Sequence, residues 1–390
     1  MKKRRYLFLF AALLALTLVT AGCGGGGGEE SAEGETIKIG FLGGLTGGHS
    51  HYGIETLKGM KMAVEDINAA GGVNGKMLEI VEGDHGSNSS EAANVTQKLI
   101  TQGVSAIVGD PTTGITKSAA QICQPAEVIL LSAGAVGPGI VEIGDYIYRD
   151  TLLDAVAAPA VTKYLAEDLG WKKVALVTTT GLSYSEGLTD IFKPALADNG
   201  IEIVAEQSIM EKDTNFSAQV TQLTQKEFDG VVFTGYYTEG ALFMKEMRKQ
   251  GLNQVLVGGD GLLGKELYEL GGDAVQGSMV YAGFAVDSEN ASGKTAEFIE
   301  KYKAANNGAL PDMFPAQGYD AVMLLADAMK AAESSDPKVF KTSLAETADW
   351  EGVTGVITFD ENREPIKSPV YLQEVKGQAF TVKSVIPIEK

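Results

Sequence analysis

Short apolar segments alternate with longer amphipathic segments along most of this chain. The first apolar run, Ile37–Gly43, has the length of a strand, and a segment of helix length, 55–70, follows it. Within that segment Leu57, Met60 and Val64 lie three and four residues apart, which predicts a helix with one buried face. Regular alternation of such strands and helices predicts an α/β protein with parallel sheets covered by helices on both faces.

The alternation occurs twice along the chain. After the first strand and helix, the predicted strands are 78–82, 106–109, 128–131, 146–150, 174–178, 202–207, 230–234, 255–258 and 278–282, and the predicted helices are 90–102, 115–124, 155–169, 186–199, 216–226, 239–250, 291–305 and 317–332. The two series predict two similar open lobes in tandem. We expect the last two helices to pack back onto the first lobe, so that no third domain is needed.

The first 22 residues have the order of a secretory signal peptide. Four basic residues precede an apolar run from residue 7 to residue 19, which is shorter than the roughly 20 apolar residues of a membrane-spanning helix. The sequence AGC that ends at Cys23 resembles a bacterial lipobox, although Thr20 stands where Leu is usual. We predict a signal peptide over 1–22, lipidation of Cys23 and a glycine-rich tether over 23–35; a plain signal peptide with an incidental cysteine is the alternative.

Charge and cysteine content narrow the possible partners. The chain carries a formal charge of −19, which disfavours contact with nucleic acid or with anionic lipid. If Cys23 is lipidated, Cys123 is the one cysteine left, so no intrachain disulfide forms. Stability must therefore come from the apolar core, for which the 44% of hydrophobic residues are sufficient.

Motifs of the common enzyme classes are missing from the sequence. The glycine-rich segment 43–48 lacks dinucleotide-binding spacing, and neither a phosphate-binding loop nor a nucleophile elbow occurs. His49, His51 and the pair Asp84-His85 could approach one another as a metal cluster. Because His49 and His51 lie two residues apart without a firm third ligand, we expect these two to be solvated rather than metal-bound. We predict a protein that is not an enzyme and that needs no cofactor and no metal.

A series of glycine- and tyrosine-containing motifs runs through the chain between residues 36 and 375. In chain order these motifs are Tyr52-Gly53, Gly59, residues 63–68 (AVEDIN), 71–75 (GGVNG), 183–187 (SYSEG), Gly235-Tyr236, 259–261 (GDG) and 318–321 (GYDA). Their composition and order resemble the leucine, isoleucine and valine binding proteins of bacterial ABC transporters. The resemblance implies a type I periplasmic binding protein fold, in which three crossovers join two lobes and the ligand lies in the cleft between them.

The same resemblance places the domain boundaries. The crossovers are expected near residues 149–154, 280–287 and 358–365. The first lobe is then formed by 36–153 with 283–361, and the second by 154–282 with 362–390.

A carboxylate site is predicted where the strand 106–109 runs into residues 110–114 and a helix. Free backbone N–H groups at a helix start, next to Thr112 and Thr113, suit an anion. The resemblance places the ligand carboxylate against Thr113 and the loop 132–136, where the Gly134 carbonyl accepts from the ammonium. Ordinary N-capping is the alternative role for both threonines. At Val136 the chain departs from the family, because a hydroxyl that helps to hold the carboxylate is missing.

The ammonium is expected to meet Asp260, which follows the strand 255–258 of the second lobe. Tyr184 and Tyr236 match aromatic contacts of the family, and each offers an apolar wall, a hydroxyl and a π-face. Tyr52 and Phe314 would line the side-chain pocket. The alternatives are a helix-capping role for Asp260 and a purely structural role for Phe314.

These features predict the solute-binding component of an ABC importer that captures a branched-chain or other apolar amino acid by hinge closure. Its partners are then the amino acid and a membrane permease, and it is a monomer that its lipid holds at the outer face of the cytoplasmic membrane, in the periplasm or at the cell surface. Two alternatives stay open. The scaffold could bind an amide, a urea-like solute or an aromatic carboxylate, or it could report a ligand to a signalling protein. An anionic residue 260 favours a ligand that carries a cation.

Overall fold

A computed structural model describes residues 36–287 and 291–388. Its first sheet contains β1 (Ile37–Gly43), β2 (Leu78–Asp84), β3 (Ala106–Gly109), β4 (Ile129–Ser132) and β5 (Ile147–Arg149). All five strands are parallel, in the order β2-β1-β3-β4-β5. Strands β3 and β4 are buried along their whole length, because helices cover both faces of the sheet. This explains why they read as continuous apolar runs rather than as an alternating pattern.

The remaining strands are β6 (Lys173–Thr180), β7 (Glu202–Met210), β8 (Gly230–Phe233), β9 (Val255–Gly258), β10 (Met279–Ala282), β11 (Trp350–Gly352), β12 (Gly355–Phe359), β13 (Pro365–Ile366), β14 (Val370–Lys376) and β15 (Ala379–Ile386). Strands β11 to β13 form a small antiparallel sheet, and the others form a second large sheet in the order β15-β14-β10-β9-β8-β6-β7. Strands β14 and β15 run antiparallel to their neighbours, which departs from the wholly parallel sheet that the sequence predicted.

The α-helices of the described residues are α1 (Ser50–Ala69), α2 (Ser89–Thr101), α3 (Thr113–Ala126), α4 (Asp154–Glu167), α5 (Ser183–Asp198), α6 (Ser217–Leu223), α7 (Tyr237–Lys249), α8 (Lys265–Gly271), α9 (Gly293–Ala305), α10 (Met313–Ala331) and α11 (Pro337–Ala345). Helices α1 and α10 pack on one face of the first sheet, and α2 and α3 pack on the other. Helices α4 to α7 cover the second sheet. We use "first lobe" and "second lobe" for the two large sheets with these helices.

Helices α1 and α10 approach each other closely at Gly59. A side chain there would place its Cβ 1.8 Å from the carbonyl oxygen of Pro315, so only glycine permits this distance. The chain that leaves the second lobe after β10 therefore returns to the first lobe and adds α10 to its core.

Several helices begin earlier than predicted, and α1 and α10 do so by the largest margin. Helix α1 starts at Ser50 instead of residue 55, and α10 starts at Met313 instead of residue 317. Asp312 caps α10 by accepting the Phe314 N–H at 3.0 Å, and Pro315 is tolerated because the N–H groups of a first helical turn have no helical partner. The early starts place aromatic residues of both helices at the cleft.

The predicted signal peptide, Cys23 and the tether lie outside the described residues. Within 36–287 and 291–388, no helix is both long enough and apolar enough to cross a membrane.

Candidate functional site

The two lobes meet along a cleft that is lined by strand ends and helix starts. Tyr52 lies in the first turn of α1, and Thr112 directly precedes α3. From the second lobe, Asp260 and Gly261 lie in a short 3-10 turn after β9. The Tyr52 hydroxyl donates across the cleft to the Gly261 carbonyl oxygen at 2.6 Å. The lobes therefore touch at the predicted site, and the structure is a closed form.

Four of the predicted contact residues form an aromatic box. The rings of Tyr184 and Tyr236 stack, with centroids 5.3 Å apart and planes at 4°. Tyr52 packs against Phe314 with centroids 4.7 Å apart. The cavity left among them measures about 10 Å³, the size of one water molecule. Its lining residues are Tyr52, Pro111, Thr112, Tyr184, Tyr236, Asp260, Gly261 and Phe314.

This small volume constrains how a ligand enters. An amino acid does not fit into a space for one water molecule, so the lobes must part or Tyr52 must turn away before it binds. Either motion breaks the hydrogen bond between Tyr52 and Gly261. The geometry thus requires a conformational step in binding.

Asp260 is a buried carboxyl group without a cation beside it. The Gly261 backbone N–H donates to the Tyr184 hydroxyl oxygen at 3.2 Å, and these two groups, neither of which carries a charge, are the polar groups that lower the pKa of the Asp260 carboxyl. The ion pairs of the described residues do not include it. Burial first, and then the negative charge of Asp154, raise the pKa of Asp260 well above its ordinary value. A ligand ammonium in contact with this group would supply the missing positive charge.

Asp154, the first residue of α4, is a second buried carboxyl group in this region, and none of the predicted site residues includes it. The Tyr281 hydroxyl donates to its Oδ1 at 2.9 Å, whereas its Oδ2 has no hydrogen-bond partner in the described residues. Burial raises the pKa of Asp154 to about 7, against the opposing effects of the Tyr281 hydrogen bond and the Arg149 charge. Its position at the end of a predicted crossover was the one sequence signal that could have marked it.

The start of α3 does not use the Thr112 side chain as a cap. The Thr112 hydroxyl donates instead to the Asp110 carboxylate, which also accepts the Thr112 backbone N–H at 2.7 Å. Thr113 Oγ1 accepts the Gly137 N–H at 3.2 Å and so ties α3 to the loop after β4. The first turn of α3 is left without a side-chain cap, as an anion site at a helix start requires.

The loop after β4 carries two further predicted residues, Gly134 and Val136. Gly134 has a φ of +130°, in the left-handed region that favours glycine. The Arg149 guanidinium braces the loop by donating to the carbonyl oxygens of Ala135 and Gly137 at 3.0 and 2.6 Å. The predicted residues that do not line the closed cavity are Thr113, Gly134 and Val136.

The three histidines are buried, which corrects the expectation that His49 and His51 are solvated. His49 and His51 are 8% exposed, and His85 is 2% exposed. His85 Nε2 lies 2.8 Å from an Asp110 carboxylate oxygen, while the other two histidines face the second lobe. Their polar sequence neighbourhood gave no sign of this burial, because a distant part of the chain covers them. Within the described residues no three potential metal ligands cluster.

Comparison with known proteins connects this cleft to a family of binders. The family model for the periplasmic binding protein matches residues 36–379. This chain belongs to the periplasmic binding protein family. The resemblance that the sequence motifs indicated is thereby confirmed.

Curated relatives of this periplasmic binding protein carry amino acids in their names. A Leu/Ile/Val-binding protein homolog 1 from Brucella melitensis is 30% identical over 329 residues, which cover 84% of this chain and 87% of the relative. A leucine-, isoleucine-, valine-, threonine- and alanine-binding protein from Pseudomonas aeruginosa is 30% identical over 333 residues, which cover 85% and 87%. The similarity therefore extends over both lobes.

Solved structures of this family confirm the α/β fold with parallel-sheet lobes. The branched-chain amino acid transporter substrate binding protein LivJ from Streptococcus pneumoniae, in complex with isoleucine, is 35% identical with a TM-score of 0.85, and the match covers 90% of this chain and all of that chain. A leucine binding protein LivK from Thermotoga maritima is 29% identical with a TM-score of 0.85, covering 90% and 99%.

Proposed function

We propose that this periplasmic binding protein is the extracytoplasmic solute-binding component of an ABC importer and that it binds a branched-chain or other apolar amino acid by hinge closure. The observation that carries the proposal is the buried carboxyl group of Asp260, which has no cation among the described residues. The names of relatives that match both lobes at about 30% identity support the amino acid as ligand. The isoleucine complex of the LivJ protein supports it further.

Recognition of the ammonium is assigned to Asp260, with Tyr184 and Tyr236 beside it. The two stacked rings present apolar and π surfaces, and the Tyr184 hydroxyl lowers the pKa of the neighbouring carboxyl group. An amino acid brings its own cation into this site, so closure over the ligand gives the buried carboxyl group a positively charged partner that the described residues do not supply. The Gly134 carbonyl is proposed as a second acceptor for the ammonium.

Recognition of the carboxylate is assigned to the uncapped start of α3 with Thr112 and Thr113, and to the backbone N–H of Val136. The helix start supplies N–H groups with a partial positive charge, which suits an anion. Tyr52 and Phe314 then pack against the ligand side chain. An apolar pocket of this kind selects ligands by the size of their side chain and disfavours charged side chains.

The chain is proposed to act as a monomer that delivers its ligand to a membrane permease and that is not an enzyme. Signal cleavage after residue 22 and lipidation of Cys23 would hold it at the outer face of the membrane through the tether 23–35. The proposed lobe boundaries are 36–153 with 283–361, and 154–282 with 362–390. The two sheets support this division, because the strands from 37 to 149 lie in one and those from 173 to 282 in the other.

A calorimetric screen tests the proposal. The mature protein is titrated with each of the twenty amino acids, an amide, urea and benzoate. We expect saturable binding of one or more apolar amino acids and recovery of the ligand unchanged. Binding of benzoate or of an uncharged solute with no response to any amino acid would refute the assignment of Asp260 and the amino acid as ligand.

A further inference from the structure

His51 lies between two carboxylates, one from each lobe. Its Nε2 is 2.7 Å from Oδ2 of Asp312, the residue that caps α10 in the first lobe. Its Nδ1 is 3.6 Å from Oε2 of Glu266 on α8 of the second lobe. A neutral imidazole has one N–H donor and one acceptor nitrogen, whereas carboxylates on both sides call for two donors. The surroundings of His51 in the closed form therefore match the charged imidazolium.

Glu266 faces His51 from the second lobe. Its Oε2 is buried and accepts no hydrogen bond within the described residues, so the imidazole of His51 is its nearest source of positive charge. The other ionisable groups that face His51 are Glu55 and Tyr52 on its own helix and Tyr237 on α7. Since burial raises the pKa of both tyrosines and keeps them neutral, the protonated imidazole is the group that can compensate the carboxylate charge here.

We infer that His51 and Glu266 form a latch across the cleft that stabilises the closed form when the imidazole is protonated. The inference rests on the hinge closure of the proposed function. Helices α1 and α10 move together because they pack through Gly59, so opening keeps the contact with Asp312 and separates His51 from Glu266. The two are positioning residues, because neither lines the closed cavity.

The pH dependence of the latch has a definite sign. Burial by itself lowers the pKa of His51, but the charges of Asp312, Glu266 and Glu55 outweigh it and raise the pKa above its ordinary value. The closed form, in which Glu266 is close, thus binds the proton more tightly through this contact. The contribution of the His51–Glu266 contact to closure is present while the imidazole is protonated, and it is lost as the pH rises through the pKa of His51 in the closed form.

A second histidine, His49, has the opposite pH effect on closure, and its contribution must be distinguished from that of His51. His49 lies 3.7 Å from Glu211 of the second lobe. Burial is the largest influence on it and lowers the pKa of His49, against the opposing charges of Glu211 and Asp110. Protonation of His49 therefore opposes closure, and the pH profile of the wild type is a sum of both effects. Comparison of single variants with the wild type cancels this background.

The test is titration calorimetry with the tightest-binding apolar amino acid of the screen, at about pH 6 and about pH 8. Glu266→Gln keeps the shape of the side chain and removes its charge. We expect it to raise the Kd about fivefold relative to the wild type at about pH 6, and to have almost no effect at about pH 8. His51→Gln should raise the Kd similarly at about pH 6, and the double variant should be no weaker than either single one.

Glu269→Gln is the matched control, because Glu269 lies on the same helix, is exposed and pairs with Lys265 of that helix. It should leave the Kd unchanged at both pH values. A Glu266→Gln protein with wild-type Kd at about pH 6, or with the same loss at both pH values, would overturn the latch. Thermal melts without ligand identify any variant that does not fold, in which case the other single variant decides.

A protein that binds none of the amino acids would refute the proposed function without deciding on the latch. Small-angle X-ray scattering of the ligand-free protein then measures closure through the radius of gyration. At about pH 6 the wild type should have a smaller radius of gyration than Glu266→Gln, with the two equal at about pH 8. Equal radii at both pH values would overturn the latch independently of the ligand.

Discussion

Replacing Asp260 by asparagine removes one negative charge from a cleft that is almost closed to water. The substitution keeps the size of the side chain and one acceptor oxygen beside the Tyr184 hydroxyl. Removing one partner of a desolvated charge pair costs about 2–5 kcal/mol. Because Asp154 remains as a second carboxyl group near the ammonium position, we expect the lower part of that range. The affinity for the amino acid should then fall about 30-fold or more.

Titration calorimetry of the wild type and Asp260→Asn with the same amino acid measures this change. Asp273→Asn serves as the control, since Asp273 is exposed and lies in the same lobe, and it should bind like the wild type. Equal affinities of wild type and Asp260→Asn would remove Asp260 from the site. They would also reopen the possibility of a ligand without a cation.

Thermal melts of the ligand-free proteins separate binding from a capping role. The pKa of Asp260 is raised in the folded protein, so the ionised group destabilises the fold as the pH rises from the ordinary carboxyl pKa through the folded one. Asparagine cannot ionise, and Asp260→Asn should melt at the wild-type temperature or slightly above it at neutral pH. A clear drop would favour a helix-capping role instead.

Substitutions at Val136 and Cys23 and the reactivity of Cys123 test the carboxylate site, the lipid anchor and the core. Val136→Thr should keep or improve amino acid affinity, because its hydroxyl restores a donor to the carboxylate; a large loss of binding in a folded protein would show that Val136 packs against the ligand or the core instead. Cys23→Ser should release the protein from the membrane fraction and change the mass of its mature N-terminus, and an unchanged fractionation and mass would contradict lipidation. Burial raises the pKa of the Cys123 thiol to about 12, so native Cys23→Ser protein should react with a disulfide reagent far more slowly than the unfolded chain at about pH 8; equal rates would contradict this burial.

The local pattern of apolar and polar residues determined the positions of several strands and most of the candidate binding residues. Strands β1, β3 and β9 lie where their apolar runs predicted, because a strand buried on both faces reads directly as a continuous apolar segment. Tyr52, Tyr184, Tyr236, Asp260 and Phe314 were selected from motifs and a family resemblance, and the folded chain brings all five around one cavity. The position of binding residues at the carboxyl ends of strands can itself be read locally, since it follows from the order of strands and helices along the chain.

The pairing of the last strands and the burial of ionisable side chains depend on the tertiary structure alone. The direction of β14 and β15 depends on which strand accepts them, and no local pattern encodes that partner. Burial of His51 beside Glu266, and of Asp154 near Asp260, follows from the contact of two lobes that are distant in sequence. A histidine in a polar segment looks solvated until the opposite lobe covers it. The charge state and the energy of these groups depend on that covering, because desolvation and charge proximity are properties of the folded chain and not of its neighbours in sequence.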